Sequence, residues 1–119
     1  MDDWKAKAVD KYKYCSVEDL VLREDVAGAR MWSVALENTM LTYFEVDPNS
    51  TFEPHSHHNE QITFVLQGEL FFEIMETVVQ VKAGEVIAIH SNVVHSVYTK
   101  GKMAKAIDVW SPPVGRYRS

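Results

Sequence analysis

The sequence predicts an all-β domain, a sandwich or barrel of short antiparallel strands. From residue 19 onward, short runs rich in β-branched and aromatic residues alternate with turn signals. No strong helical periodicity interrupts these runs. The chain has 119 residues, of which 46% are hydrophobic and 24% are charged, which suits a single domain with its own core.

The strands are expected wherever such a run lies between two turn signals. They are residues 20–23, 30–36, 39–46, 60–67, 69–75, 78–82, 85–89, 93–99 and 103–110. The separating turns are typified by Asp47-Pro48-Asn49-Ser50, Gln67-Gly68-Glu69 and Ala83-Gly84. The hairpin around Met75-Glu76-Thr77 lacks the glycine or asparagine that short hairpin turns favour.

The two ends of the chain are expected to lie outside the barrel, which spans residues 19–113. Residues 1–18 are predicted to form an arm or a short helix, because Trp4, Ala8 and Tyr12 recur at helical spacing. Pro112 and Pro113 should end the last strand. Residues 114–119 are then a C-terminal tail that leaves the barrel.

Composition argues against several classes of partner. The net charge is −5 and the basic residues are scattered, so no nucleic-acid partner is expected. The N-terminus has no apolar core typical of a secretory signal, and no run is long enough to span a membrane. The single cysteine, Cys15, cannot form an internal disulfide and is expected to be a small, half-buried side chain. These features fit a cytoplasmic protein without a membrane partner.

Three of the five histidines fall within the segment HSHHNEQITFVLQG, residues 55–68. Successive side chains of a strand point to opposite faces. If the segment is extended, one face therefore carries His55, His57, Asn59 and Gln61. The other face carries His58 and Glu60, followed by Ile62, Phe64 and Leu66. An H-x-H pair on one face offers two imidazoles to a single metal ion.

His95 is the candidate for a third imidazole, provided that strand 93–99 lies beside strand 60–67. His90 precedes the turn Ser91-Asn92 and is expected on the rim rather than among the ligands. On spacing alone, a metal site and a set of structural histidines remain equal alternatives.

Two segments resemble the paired motifs of the cupin family. PHSHHNEQITFVLQGEL resembles the first motif, and GEVIAIHSNVVHS resembles the second. The resemblance covers roughly residues 25–113. It implies a jelly-roll-like antiparallel β-barrel, the RmlC-like double-stranded β-helix, with one divalent metal ion (Zn, Fe, Ni or Mn). The ligands that it implies are His55, His57, Gln61 and His95.

The chain departs from the family pattern in three places within these motifs. Gln61 stands where a glutamate is usual, so no ligand is an anion and the metal would keep its full charge as a Lewis acid. His90 stands where the second motif has a proline, and Asn92 replaces a glycine in its turn. Only the first departure concerns a ligand.

The C-terminal segment AKAIDVWSPPVGRYR resembles the last strand of small cupins, including enzymes that open or isomerise unsaturated uronate sugars. The resemblance implies that Asp108 acts as a catalytic base and that Trp110 lines the substrate pocket. A hydrogen-bonded strand-end carboxylate is an equal alternative for Asp108. The arginine of those enzymes corresponds to Val114, and Arg116 comes two residues late, which argues against a sugar-acid substrate.

Tyr43 is a further candidate for the substrate pocket, since a strand tyrosine can offer its hydroxyl to a ligand. The apolar strip Ile62, Phe64 and Leu66 requires a cover, and the resemblance suggests a homodimer.

Two functions are compatible with these features. One is a metal-dependent isomerase, lyase or dioxygenase that acts on a small polar metabolite bearing a carboxylate or carbonyl. The other is a non-catalytic barrel that binds or senses a small ligand.

Overall fold

The computed structural model describes residues 11–118 as a two-sheet, all-β jelly roll, which confirms the predicted fold class. Its ten strands are β1 (Arg23–Val26), β2 (Ala29–Ala35), β3 (Met40–Val46), β4 (Thr51–His55), β5 (Glu60–Gln67), β6 (Glu69–Ile74), β7 (Thr77–Lys82), β8 (Val86–Ile89), β9 (His95–Tyr98) and β10 (Ala104–Ser111). One sheet has the order β1-β2-β3-β10-β5-β8 and the other has the order β4-β9-β6-β7. Two short 3₁₀ helices flank the strands, at Val17–Asp19 and Gly115–Tyr117.

The predicted strands from residue 30 onward are confirmed to within a few residues, and two differences occur before the histidine cluster. The first strand is 23–26 and not 20–23, because the Ser16 capping box starts a 3₁₀ helix that ends at Asp19. Strand β4 was not predicted. It contains Pro54, which cannot donate to a ladder, and it lies at the edge of its sheet, where proline is tolerated.

The inner face of the six-stranded sheet is organised in rows across the strands. Side chains alternate between buried and less buried along β2 and β3, as the pleat requires. One row is polar and buried. It consists of Ser33, Thr42, Asp108 and Thr63, each the Cα partner of the next on the neighbouring strand. The next row is apolar and buried: Met31, Phe44, Ala106 and Val65. A polar layer therefore lies directly beside the hydrophobic core.

The outer face of the same sheet is apolar over five strands. It carries two apolar rows. One row consists of Val34, Leu41, Val109, Ile62 and Ala88. The other row consists of Trp32, Tyr43, Ile107, Phe64 and Val86. The expected strip Ile62, Phe64 and Leu66 is part of this face, with exposed fractions of 47%, 40% and 41%. The prediction that this strip lies away from the histidines is confirmed.

Gly68 makes the turn from the six-stranded to the four-stranded sheet. Its φ is +73°, a left-handed conformation that favours glycine. A Cβ at this position would collide with the backbone carbonyl of Met103. The turn thus brings β5 and β6 together where the chain changes sheet.

The C-terminal segment returns to the barrel, so the expectation that residues 114–119 leave it was wrong for the described part. Pro112 and Pro113 do end β10, but the 3₁₀ helix that follows brings Tyr117 back into the core. Its ring packs edge-on against Phe44 at a centroid distance of 5.6 Å. Its carbonyl accepts hydrogen bonds from Ser33 and, at 2.9 Å, from Arg23.

The N-terminal expectation concerns residues that lie largely outside the described range, including Trp4 and Ala8. Residues 12–16 have no regular structure, and Tyr12 is exposed. Cys15 is half-buried. Within residues 11–118, no helix has the length and hydrophobicity needed to cross a membrane.

Candidate metal centre and cavity

The structure brings together three of the four expected metal ligands by ring geometry. His55 ends β4, His95 begins β9, and the two are Cα partners. His57 lies in the loop between β4 and β5. The ring centroids are 4.4 Å apart for His55 and His95, 5.0 Å for His57 and His95, and 5.5 Å for His55 and His57. One nitrogen from each ring lies within 4.8 Å of the other two.

His95 reaches the cluster by a different route from the one that the sequence suggested. Strand β9 does not lie beside β5 but between β4 and β6, in the opposite sheet. The unpredicted strand β4 carries His55 into that same sheet. The pair His55 and His95 is therefore a cross-strand pair, and His57 joins it from the loop leading to β5.

Backbone hydrogen bonds fix the tautomer of all three rings. In each ring, Nδ1 lies 2.9–3.0 Å from a backbone carbonyl two residues away. These carbonyls belong to Glu53, Asn59 and Val93. Because a carbonyl only accepts, Nδ1 must carry the proton and Nε2 of the neutral ring keeps its lone pair. This is the arrangement by which histidine ligands are oriented in metal sites.

Two buried acceptors near this cluster have no hydrogen-bond partner among residues 11–118: Nε2 of His57 and Oε1 of Gln61. The Gln61 amide is oriented by Thr63, whose hydroxyl oxygen accepts from Nε2 at 3.0 Å and donates in turn to Asp108. An unsatisfied buried acceptor costs about 1–3 kcal/mol. A divalent cation bound by these atoms would remove that cost, so the donor set fits a metal ion.

His95 is held in the neutral form that a metal ligand requires. Burial lowers the pKa of its imidazolium, and the rings of His55 and His57 lower it further. The hydrogen bond to the Val93 carbonyl acts in the opposite direction. His95 is only 2% exposed, which explains why desolvation dominates.

Asp108 lies in the buried polar row, beside Thr63. Burial raises the pKa of its carboxyl to about 7, and the hydrogen bond from Thr63 offsets part of that rise. Trp110, two residues on, donates from Nε1 to the Thr42 hydroxyl at 3.0 Å and packs edge-on against His57 at 5.4 Å. Both side chains are therefore fixed by threonines of the neighbouring strands β5 and β3.

A cavity of about 440 Å³ connects these groups. Of the residues singled out in the sequence, it is lined by His55, Gln61, His95, Asp108 and Trp110. Such a volume is in the range of small-molecule sites. The structure thus places three of the four candidate ligands, the candidate base and the aromatic wall around one space, and His57 contacts that wall through Trp110.

The assignment of Tyr43 to the pocket was wrong. Its neighbour Phe44 points inward, so strand alternation turns Tyr43 to the outer face. There its ring stacks on Trp32 at 5.2 Å and its hydroxyl donates to Glu45 at 2.8 Å. Partial burial and the bond to Glu45 raise the pKa of Tyr43 to about 12.

The remaining histidines stay outside the site. The ligand cluster within residues 11–118 comprises three histidines and omits both His58 and His90, which are exposed. Glu60 is exposed as well, in agreement with its expected place on the opposite strand face from Gln61.

Sequence reasoning missed most of the cavity wall, including four residues that bear on its polar contacts: Thr63, Asp25, Arg116 and Tyr117. Thr63 could have been found, because it shares the strand face of Gln61. Asp25, Arg116 and Tyr117 gave no usable signal, since the 3₁₀ turn that brings the tail back is not evident from spacing. Arg116 donates to Asp25 at 2.8 Å and to the Tyr117 hydroxyl at 2.7 Å. Its side chain is 59% exposed, which places it at the rim of the cavity.

The fold resembles several solved structures. KdgF from Halomonas sp. has a TM-score of 0.80 at 19% identity, with 87% of this chain and 96% of that chain covered. An RmlC-like cupin from Shewanella frigidimarina has a TM-score of 0.82 at 17% identity, with 88% and 95% covered. The polyketide cyclase RemF from Streptomyces resistomycificus has a TM-score of 0.76 at 21% identity, with 86% and 80% covered. At these identities the likeness supports the fold alone.

No curated protein matches the sequence. The family model described as the cupin domain matches residues 42–110, more than half of the chain, and this span contains all three clustered histidines together with Gln61 and Asp108. With the jelly-roll fold and the converging histidines, this match shows that the chain belongs to the cupin family.

Proposed function

We propose that the protein is a metal-dependent enzyme that moves a proton on a small metabolite bearing a carbonyl or a carboxylate. The observation that carries the proposal is the place of Asp108. A carboxyl group with a pKa of about 7 lines the same cavity as His55 and His95, whose Nε2 lone pairs are available to a metal. A general acid or base is most effective when its pKa lies near the working pH.

His55, His57, His95 and the Oε1 atom of Gln61 would hold the ion. When bound there, a divalent metal supplies Lewis acidity toward a carbonyl or carboxylate oxygen. All four donors are neutral, so they would leave the charge of the ion undiminished. Imidazole and amide donors suit Zn, Fe, Ni or Mn, and the donor set does not choose among them.

Asp108 is the residue proposed to exchange the proton. The Thr63 hydroxyl occupies its Oδ1, so the proton would be carried on Oδ2. The chain Gln61–Thr63–Asp108 also links the carboxyl to a candidate ligand. This link would keep the base in a fixed position relative to the metal. Isomerase and lyase chemistry both make use of such a pair, whereas dioxygenase chemistry would also need a redox-active ion such as iron.

The similar structures give limited support for the reaction type. One of them is named a polyketide cyclase and another an oxalate decarboxylase. Both names refer to chemistry on compounds with carbonyl or carboxyl groups. The support comes from a shared fold, which hosts many reactions, so the argument rests on the site.

The first test is elemental analysis of the purified protein and of matched histidine variants. We expect close to one metal ion per chain in the parent and in His58→Ala, which removes an exposed histidine next to the cluster. His57→Ala should lose the metal, and Gln61→Ala should bind it more weakly. Absence of metal from the parent after reconstitution would contradict the proposal and leave a metal-free ligand-binding barrel.

Asp108→Asn separates an enzyme from a sensor. The variant should retain the metal, because Asp108 is not among the proposed ligands. An enzyme that uses this carboxyl should lose turnover by a factor of about 10² to 10⁴. A barrel that only binds or senses its ligand would show unchanged ligand affinity and no turnover in either protein.

A further inference from the structure

The cavity is polar at its histidine end and apolar beyond it, and the exposed residues Thr51 and Glu53 add polar groups to its lining. On the six-stranded sheet, the polar row with Asp108 and Thr63 adjoins the apolar row with Phe44 and Ala106. On the facing sheet, His55 and His95 are followed by the apolar pair Phe52 and Val97. We call the large apolar side chains that line this second part the apolar belt: Phe44, Val46, Phe52, Leu70, Phe72 and Val97.

The space inside the apolar belt exists because two positions of the cavity wall are alanines. Ala106 lies across from Phe44 on β3, and Ala29 lies across from Val46. Both alanines line the cavity and are almost completely buried. A larger side chain at Ala106 would enter the volume next to Asp108. The room for a ligand body thus depends on small residues at specific positions of β2 and β10.

The belt offers no hydrogen bonds to a hydroxylated ligand. A hydroxyl that is transferred from water into such surroundings without a partner is strongly disfavoured. At the rim, the guanidinium of Arg116 is already paired with Asp25 and with the Tyr117 hydroxyl. A second carboxylate would have to compete with Asp25 for this cation. Both features argue against a sugar acid.

We propose that the ligand of this cavity is amphipathic: a chelating head with a carboxylate or carbonyl at the histidine end, and an apolar aliphatic or aromatic body within the apolar belt. The head rests on the function proposed above. The body rests on the belt and on the two alanines alone. The protein is thus assigned to apolar organic acids or ketones rather than to polyhydroxylated ones.

Three α-hydroxy acids test this assignment because they share one chelating head. Lactate carries a methyl group, phenyllactate carries an apolar aromatic body, and gluconate carries a chain of hydroxyls. Isothermal titration calorimetry of the metal-reconstituted protein should give phenyllactate an affinity about 10- to 100-fold above that of lactate. Gluconate should bind no more tightly than lactate. The heat capacity change should be more negative for phenyllactate than for lactate, as burial of apolar surface requires.

Two variants locate the contact, and a third serves as control. Ala106→Leu should reduce the affinity for phenyllactate to near that of lactate without changing lactate binding. Phe52→Ser alters a half-buried wall residue, so the fold is less dependent on it, and it should also reduce the preference for phenyllactate. Val78→Ser changes an exposed apolar residue outside the cavity and should have no effect.

The outcomes separate this inference from the proposed function. Tighter binding of gluconate than of phenyllactate would overturn the inference, and so would equal affinities for phenyllactate and lactate in protein that contains its metal. In those cases the metal-dependent function would still stand. A preparation that binds no metal but still prefers phenyllactate over gluconate would support the apolar belt and overturn the proposed function instead.

Discussion

At the scale of single residues, the ionisation of Asp108 connects the site with the stability of the protein. In an unfolded chain, its carboxyl has its ordinary pKa, near 3.8, whereas burial raises the pKa to about 7 in the fold. Between these values the folded protein binds more protons than the unfolded chain does. Stability contributed by the protonated form is therefore present at low pH and is lost as the pH rises from about 4 to about 7.

The substitution Asp108→Asn should remove this pH dependence, because an amide does not titrate. At pH 8 the variant should be more stable than the parent by as much as about 4 kcal/mol, whereas at pH 4 the two should be similar. Urea unfolding of both proteins across this pH range, with a chelator present, measures the difference. Glu73→Gln is the matched control, since that carboxylate is exposed and its removal should leave the curve unchanged. If the difference in free energy of unfolding between Asp108→Asn and the parent did not change with pH, the carboxyl would ionise in the folded protein at no cost in stability.

At the scale of secondary structure, the hairpin between β6 and β7 has a tight turn although its loop lacks the residues that such turns favour. Its two-residue loop is Met75-Glu76, and both residues have positive φ, 50° and 67°. Such a loop is typical of a type I′ turn, for which Asn-Gly is preferred. Met75 is 83% exposed and therefore has little packing to compensate for its conformation. The pairing of β6 with β7 holds the loop in place.

Replacing Met75-Glu76 with Asn-Gly should therefore stabilise the protein. A left-handed conformation costs an ordinary residue about 1–2 kcal/mol. Glycine avoids this cost, but it also increases the conformational entropy of the unfolded chain, which reduces the net stabilisation. We expect a net gain of about 1 kcal/mol, seen as a higher urea midpoint with an unchanged slope. Thr77→Val changes the first residue of β7 without altering the loop and should shift the midpoint much less. A lower midpoint for Asn-Gly would mean that the native side chains make contacts beyond the turn.

Much of the fold was predictable from local patterns, because strand alternation and turn residues act over a few positions. Gln61 was placed on the histidine side by alternation, and its burial agrees with that. Alternation also argues against placing Tyr43 in the pocket once Phe44 is known to point into the core, because neighbouring side chains face opposite sides. That argument needed the inner face of β3, which the sequence alone does not identify.

The parts that were not predictable depend on long-range contacts. The place of β9 between β4 and β6 is decided by which strands pair across the whole chain. The return of Tyr117 depends on an opening in the barrel that its ring fills, next to Phe44. Counting residues from Asp108 suggested that Arg116 comes too late to reach the pocket. The folded tail nevertheless places Arg116 in the cavity lining.

At the scale of the whole molecule, the outer face of the six-stranded sheet leaves large apolar side chains exposed: Ile62, Phe64, Val86 and Val109. Its two apolar rows cross five strands, from β2 to β8. We propose that a second copy of the chain covers this face and forms a homodimer.

The charges at the two ends of the face indicate how the copies are arranged. The row at one end of the face holds Arg30, Glu45 and Lys105, which together leave one positive charge, and Glu60 lies at the opposite end of β5, where it pairs with Ser111. In a two-fold dimer, an axis across the strands would set Lys105 of each copy near Glu60 of the other. An axis along the strands would instead bring like charges together. The antiparallel arrangement is therefore favoured.

Light scattering after size exclusion should give twice the chain mass of 13.6 kDa. Phe64→Lys should give a monomer, because it puts a charge in the centre of the apolar rows, whereas Val78→Lys on the other sheet should remain a dimer. Glu60→Lys should weaken the dimer, and addition of Lys105→Glu should restore it by exchanging the two charges. A parent protein that is monomeric at about 10 μM, or a dimer that Phe64→Lys leaves intact, would overturn the proposal. Restoration by the double exchange would in turn fix the axis across the strands, because only that arrangement brings the two positions together.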